Sequence, residues 1–305
     1  MAKGEKEIRR RIRSVKNTQQ ITRAMKMVAS AKLQKSQGRT KSAQPYAMTL
    51  TRLVDHLVRW LGDLDHPLLR PTTAEAQRVI LIVFTSDKGL CGAFNTNLVR
   101  RAELFMRNRP EQEFELVTIG RYAERYFRYR GYRIHKSLPA YDFDTHFLEM
   151  TPLFELVERA YLSGEFTQIW VLYSRFVSTV RQQATMLQLL PLEHRGLAEQ
   201  VGESEPAVPR RQAAAEHLTI DLIFEPSPQR VLETLLPRFV RYSLYQAMRE
   251  NFTSENAARM LAMDNATKNA SEMIRSLTLA YHKARQQSIT AELLDIVGGA
   301  EAQQG

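Results

Sequence analysis

The sequence predicts an α/β protein in which a long antiparallel coiled coil, made by the N- and C-terminal helices, brackets a central α/β domain. Three observations predict it. From Arg238 to Val297 the chain runs sixty residues without glycine or proline. Glu5 to Gln37 is a second such run near the N-terminus. Between them, apolar segments of strand length alternate with helix-length segments that end at glycine.

In the first helix Ile8, Val15, Thr22, Ala29 and Ser36 recur every seven residues, with Thr18 and Met25 between them. This is a heptad seam, polar and therefore weak. Gly38 and Pro45 are places for a bend. Apolar spacing resumes at Leu50, Leu53, Val54, Leu57 and Leu61, and Gly62 with the Asp65-His66-Pro67 turn ends the element. Residues 1–62 are thus expected to form the N-terminal coiled-coil helix. Residues 1–41 hold thirteen Lys and Arg against Glu5 and Glu7, a net +11, while the rest of the chain holds 30 positive and 31 negative charges. All the basic character belongs to this helix. It implies an acidic protein partner, an anionic surface or nucleic acid, or simply a solvated face. No Phe, Tyr or Trp precedes Tyr46, so the helix lacks stacking platforms for single strands.

The middle, 76–225, reads as an α/β domain of Rossmann-like, doubly wound type. Arg78–Phe84 is a continuous apolar run of the buried-strand kind. A loop, Thr85–Gly92, and a helix at about Asn95–Arg107 follow. A strand is expected at Phe114–Ile119, helices at Tyr122–Arg130 and Phe147–Leu162, and strands at Gln168–Tyr173 and Ala184–Leu190. Residues 193–216 carry Gly196, Gly202, Pro206 and Pro209, several charges and no aromatic residue, and are expected to form a mobile loop. Apolar Leu218–Phe224 then leads to Glu225-Pro-Ser-Pro228.

The last helix is expected over 228–298. Proline in its first turn is favourable, Pro237 should kink it, and Gly298-Gly299 should stop it. Met263, Ala266, Ala270, Met273, Leu277, Ala280 and Ala284 are spaced alternately by three and four, the pattern of a coiled-coil seam. An amphipathic helix lying on its own domain is the competing reading. One long helix leads into the middle and the other leads out, so pairing along their seams must be antiparallel. Leu293, Leu294, Ile296 and Val297 point over well over half the helix circumference at about 100° per residue. Such a tip is expected to seat in an apolar collar from other chains, unless it frays.

No run of eighteen apolar residues is present, so no membrane span is expected. The single cysteine, Cys91, forms no intramolecular disulfide and fits a reducing compartment. The phosphate-loop, nucleophile-elbow and zinc-helix motifs are absent. The seven histidines are scattered, and the isolated pair His146 and Glu149 reads as a surface contact. Gly89 and Gly92 lie in a strand–loop–helix where backbone amides approach phosphates in other proteins. Their spacing misses the dinucleotide fingerprint, so a tight turn with Cys91 packed beneath it is the stronger reading. No catalytic residue, cofactor or metal is expected.

Four stretches resemble the gamma subunit of the F-type ATP synthase: residues 12–32, Ser86–Asn95, Ser254–Met263 and, most specifically, Ile289–Ala300. The resemblance covers essentially the whole chain. It implies a central-stalk rotor subunit, not itself catalytic. Such a subunit couples proton flow through the membrane c ring to rotational catalysis on the beta subunits and regulates their ATPase activity. Implied partners are the alpha and beta subunits, the epsilon subunit and the c ring, with no nucleic acid. The implied location is peripheral, on the cytoplasmic face of a bacterial cell membrane. By the same resemblance Met25, Lys26, Arg285, Gln286, Thr290, Glu292 and Asp295 contact beta. Leu293, Leu294, Ile296 and Val297 form the apical bearing, and Leu222, Ile223, Phe224 and Glu225 the foot on the c ring. Photosynthetic relatives carry a switching cysteine pair near 193–216; this chain has none there, so thiol control is not expected. The alternative is a coiled-coil protein that binds nucleic acid or nucleotide.

Overall fold

The computed structural model describes residues 3–61, 66–69, 77–142, 144–192, 225 and 227–304. In order these form α1 (Lys3–Leu61), β1 (Arg78–Phe84), α2 (Phe94–Arg107), β2 (Glu113–Ile119), α3 (Arg121–Tyr129), β3 (Ile134–Leu138), a 3-10 turn (Phe147–Met150), α4 (Thr151–Leu162), β4 (Gln168–Phe176), β5 (Gln182–Leu190) and α5 (Pro228–Gln304). The expected mobile loop 193–216, and Leu222, Ile223 and Phe224 of the expected foot, lie outside the described residues.

The five strands make one sheet in the order β3-β2-β1-β4-β5. β1 is parallel to β2 and to β4, β2 is parallel to β3, and β5 runs antiparallel to β4. The chain steps outward from β1 to β3, then returns to β4 on the other side of β1. That reversal is the doubly wound, Rossmann-like arrangement. From Val79 to Phe84 β1 is apolar because both of its faces are covered. Side chains alternate along each strand. Ile80, Ile82, Val117, Ile119, Ile169 and Val171 therefore join one core with α4, and Leu81, Val83, Leu116 and Leu172 the other, with α2 and α3.

β3 went unforeseen, because Ile134-His-Lys-Ser-Leu138 has only two apolar residues. As the sheet's outer strand it needs little more. One further correction concerns the last helix. α5 does not stop at Gly298-Gly299 but continues to Gln304, and Gly38 and Pro45 of α1 and Pro237 of α5, the expected places of a bend, lie within their helices. A glycine costs about 1 kcal/mol inside a helix, which a propagating helix absorbs. It ends a helix only where the chain must turn back through a left-handed residue.

The chain divides into two compact units, Met1–Ala31 with Arg259–Gly305, and Lys32–Ala258. Within the larger one, Leu50, Val54 and Leu57 of α1 and Leu232, Leu236, Phe239, Val240 and Leu244 of α5 enter the first sheet core. Asn251 Oδ1 accepts the Ser174 N–H at 3.0 Å, and Ser254 Oγ donates to the Ser174 carbonyl at 2.8 Å, which fastens α5 to β4. This stretch of α5 is the amphipathic helix lying on its own domain. No described helix is long and apolar enough to cross a membrane.

Candidate functional site: the paired-helix surface

In the smaller unit α1 and α5 pair antiparallel. Gln19 Nε2 donates to Ser271 Oγ at 2.7 Å, Thr267 Oγ1 lies 2.8 Å from Thr22 Oγ1, and Lys26 Nζ is 2.6 Å from Asp264 Oδ1. As the number rises on α1 it falls on α5. Three successive rungs are polar, so the apolar gain along this stretch is small. Lys268 holds the other Asp264 oxygen at 2.9 Å. Hydrogen bonding to Lys26 first, and then to Lys268, holds the Asp264 carboxyl below its usual range.

The seam departs from the expected residues at Thr18, Met273 and Ala280, while Met25 and Ala266 are half-buried. On α5 Met263 and Ala270 are buried and Leu277 and Ala284 half-buried, as expected. Between them Thr267, Ile274 and Tyr281 face the seam, whereas Met273 is 53% exposed and Ala280 is exposed. On α1 Ile8, Val15, Thr22 and Ala29 lie on the seam, but Ile12, Gln19 and Lys26 fill the intervening places and Thr18 is exposed. Steps of three-then-four and four-then-three fit the same heptad, and the alanines and methionines favoured the first although Ile12, Ile274 and Tyr281 fit the second. Asp264, Thr267 and Ser271 were missed because polar residues leave no hydrophobic signal.

The expected contact residues divide. Arg285, Gln286, Thr290 and Glu292 are exposed, and Asp295 lies on the same helix. Thr290 Oγ1 donates to the Gln286 carbonyl at 2.9 Å, a bond within the helix. Leu293, Leu294, Ile296 and Val297 are all at least 57% exposed. Carried on at equal rise, the pairing sets Lys3 opposite about residue 286, so α5 continues beyond any described residue of α1. Lys26 is tied to Asp264, while Met25 is half-buried beside it. Met25 belongs to an apolar stripe with exposed Ile21 and Val28, roughly a third of a turn from the seam. Glu225 is exposed in the bend before α5.

The strand–loop–helix after β1 is closed on itself. The Ser86 N–H donates to Asn95 Oδ1 at 3.0 Å, Ser86 Oγ donates to the Lys88 carbonyl at 2.7 Å, and Cys91 is buried beneath. Asp87 Oδ1 accepts the Arg121 N–H at 2.9 Å. Gly92 is left-handed at φ 60°, but Gly89 is not, and a Cβ on Gly89 would meet nothing within 4 Å. The turn packs itself, with the Ser86 amide already bonded. His146 and Glu149 meet only as a capping box at the 3-10 turn.

Comparison with known proteins agrees along the whole length. A family model described as ATP synthase matches residues 4–303. The ATP synthase gamma chain of Symbiobacterium thermophilum is 42% identical over 306 residues, covering 100% of both chains. That of Desulforudis audaxviator is 42% identical over 299 residues, covering 97% of this chain and 98% of its own. Among solved structures, a chain of the Euglena gracilis mitochondrial ATP synthase (OSCP/F1/c-ring, rotational state 3) has a TM-score of 0.64 at 20% identity. It covers 98% of this chain and 94% of its own length. A chain of the rotor of the same enzyme has a TM-score of 0.62 at 18% identity, covering 94% of this chain and 99% of its own. The antiparallel helix pair, the mixed five-stranded sheet and these matches together place the chain in the family of ATP synthase gamma chains.

Proposed function

We propose that this chain is the central-stalk rotor subunit of an F-type ATP synthase. It carries no chemistry itself. Its asymmetric helix pair transmits rotation between a membrane c ring and the beta subunits, where ATP is made or hydrolysed, and regulates their ATPase activity. Its partners are the alpha and beta subunits, the epsilon subunit and the c ring. Its place is peripheral, on the cytoplasmic face of a bacterial cell membrane. Residues 1–62 and 228–298 supply the shaft, and 76–225 the domain beside the c ring.

One observation carries this reading. α5 outruns its pairing with α1 and ends in exposed Leu293, Leu294, Ile296 and Val297. An apolar end of this kind calls for a collar supplied by other chains. Arg285, Gln286, Thr290, Glu292 and Asp295 are the positions that engage beta in turn. Met25, in the stripe with Ile21 and Val28, is a second beta contact, and Lys26 reaches beta only by exchanging its bond to Asp264. Exposed ion pairs contribute about 0–1 kcal/mol each, weak enough for a turning surface to release. Leu222, Ile223, Phe224 and Glu225 form the foot on the c ring.

The test is Met25→Lys in the assembled complex. ATP hydrolysis is expected to persist while ATP-driven proton pumping falls; unchanged pumping would remove Met25 from the beta interface. A bead fixed to the sheet domain should turn during ATP hydrolysis, and a stationary bead on an active complex would end the rotor reading.

A further inference from the structure

Between the end of α3 and the outer strand β3 lies an open cleft of about 460 Å³, walled by Arg128, Tyr132, His135, Lys136 and Ser137 around Gly131. It is remote in sequence from the helix pair, and the rotor reading gives it no part. Its charge is one-sided. Residues 121–136 hold Arg121, Arg125, Arg128, Arg130, Arg133 and Lys136 against Glu124 alone.

Some of that charge is already answered. Arg130 Nη1 meets Glu103 at 2.8 Å, and Arg133 Nε meets Glu115 at 3.2 Å. Arg128 pairs with Glu124 at 2.7 Å, one turn back on α3 and largely in solvent. Arg121, Arg125 and Lys136 form no ion pair among the described residues. Among the described residues, no carboxylate stands on the cleft wall itself.

Two further groups on the wall are held in place. His135 Nδ1 lies 2.9 Å from Glu115 Oε2 and its ring stands edge-on to Phe166, so the imidazole is fixed. Ser137 Oγ is anchored 2.9 Å from Thr118 Oγ1. β3 is the sheet's edge, so the N–H groups on its outer side have no strand partner among the described residues.

We propose that this cleft binds a small phosphate-bearing anion, with nucleoside polyphosphates as the best-matched class. A lone carboxylate is satisfied by one cation. A phosphate chain, with several charged oxygens, matches Arg128 and Lys136 together with hydroxyl and backbone donors. The volume lies in the range of small-ligand sites. Tyr132 on the wall supplies an aromatic face for a base. The same phosphate chemistry occurs on lipid headgroups, and the experiment separates the two sources.

The full-length chain is dialysed to equilibrium against radiolabelled inorganic phosphate and, separately, labelled ATP, and is sedimented with vesicles containing phosphatidic acid. ATP should bind saturably at one equivalent, more tightly than phosphate, and should weaken as salt rises. Lys136→Glu and Arg128→Glu should each weaken ATP about tenfold, the effect of losing one charge-assisted contact. Arg275→Glu, exposed on α5, should leave binding unchanged. Both cleft positions are largely exposed, so these variants should fold, and an unchanged circular dichroism spectrum verifies that. Absence of ATP binding at millimolar concentration overturns the proposal, as does binding that is indifferent to both cleft substitutions. Co-sedimentation with vesicles without ATP binding also overturns it, and assigns the basic segment to a lipid surface.

Discussion

Gly120 is the residue whose replacement should be felt most directly. It sits at φ 92°, and a Cβ there would come within 2.5 Å of the Thr85 carbonyl oxygen. Gly120→Ala is expected to cost roughly 2–4 kcal/mol, combining a left-handed alanine with an overpacked site, read from urea midpoints. Asn251 is the second. Asn251→Ala would leave the buried Ser174 N–H without its acceptor and should cost about 1–3 kcal/mol. Glu250 behaves differently. Burial is the main influence on its carboxyl and raises its pKa above the usual range, outweighing hydrogen bonds from Gln246 and the Phe176 backbone. A carboxyl with a raised folded pKa is most favourable to the fold below its unfolded value of about 4.3, and the advantage is lost as pH rises through the folded value. Glu250→Gln should therefore melt higher than the parent at pH 8, with the gap closing below pH 4. An unaltered gap across that range would mean the carboxylate is satisfied where it lies.

At the scale of elements, the paired seam decides between neighbouring positions. Ile274 faces α1 and Met273 faces away. Ile274→Ala should cost about 1 kcal/mol for half-burial of its side chain. Met273→Ala should stay within about 0.5 kcal/mol, as surface substitutions do. The opposite order would restore the three-then-four register. The Thr22–Thr267 rung should show coupling in a double-mutant cycle, with the pair of valine substitutions costing less than the two single ones together. Asp264 has its carboxyl lowered, so its contribution is full above the ordinary value of about 3.9 and is lost as pH falls through the lower folded value. Asp264→Asn should flatten the acid side of the melting profile. Here the sequence was partly legible. Both long helices followed from the absence of breakers, and Met263, Ala270, Leu277 and Ala284 from the heptad. The polar intervening rungs were not legible, because apolar periodicity passes over Gln19, Lys26 and Thr267; Ile12, Ile274 and Tyr281 fit a four-then-three spacing that the run of alanines and methionines masked.

At the scale of the whole molecule, the residues proposed to meet partner chains are not the ones that hold the fold. The exposed end of α5 contributes little to folding of the isolated chain. Truncation after Ala291 should leave the melting temperature of the purified chain unchanged and lower the yield or torque of the reconstituted complex. A chain destabilised by that truncation would show the tip to be part of its own fold. Family membership is visible along the full length, at 42% identity to two gamma chains.

Taken alone, the sequence determined the α/β class, the two long helices, the basic N-terminal segment and the strands β1, β2, β4 and β5. Each has a local cause: unbroken helix-forming residues, clustered charge, or apolar runs long enough to be buried on both faces. Only tertiary structure decided that β3 is an edge strand, that α5 spends its first part against the sheet before pairing with α1, and that polar rungs set their register. Those outcomes depend on which surface a segment meets. A short polar strand or a threonine in a helix has no preference strong enough to announce its partner in advance.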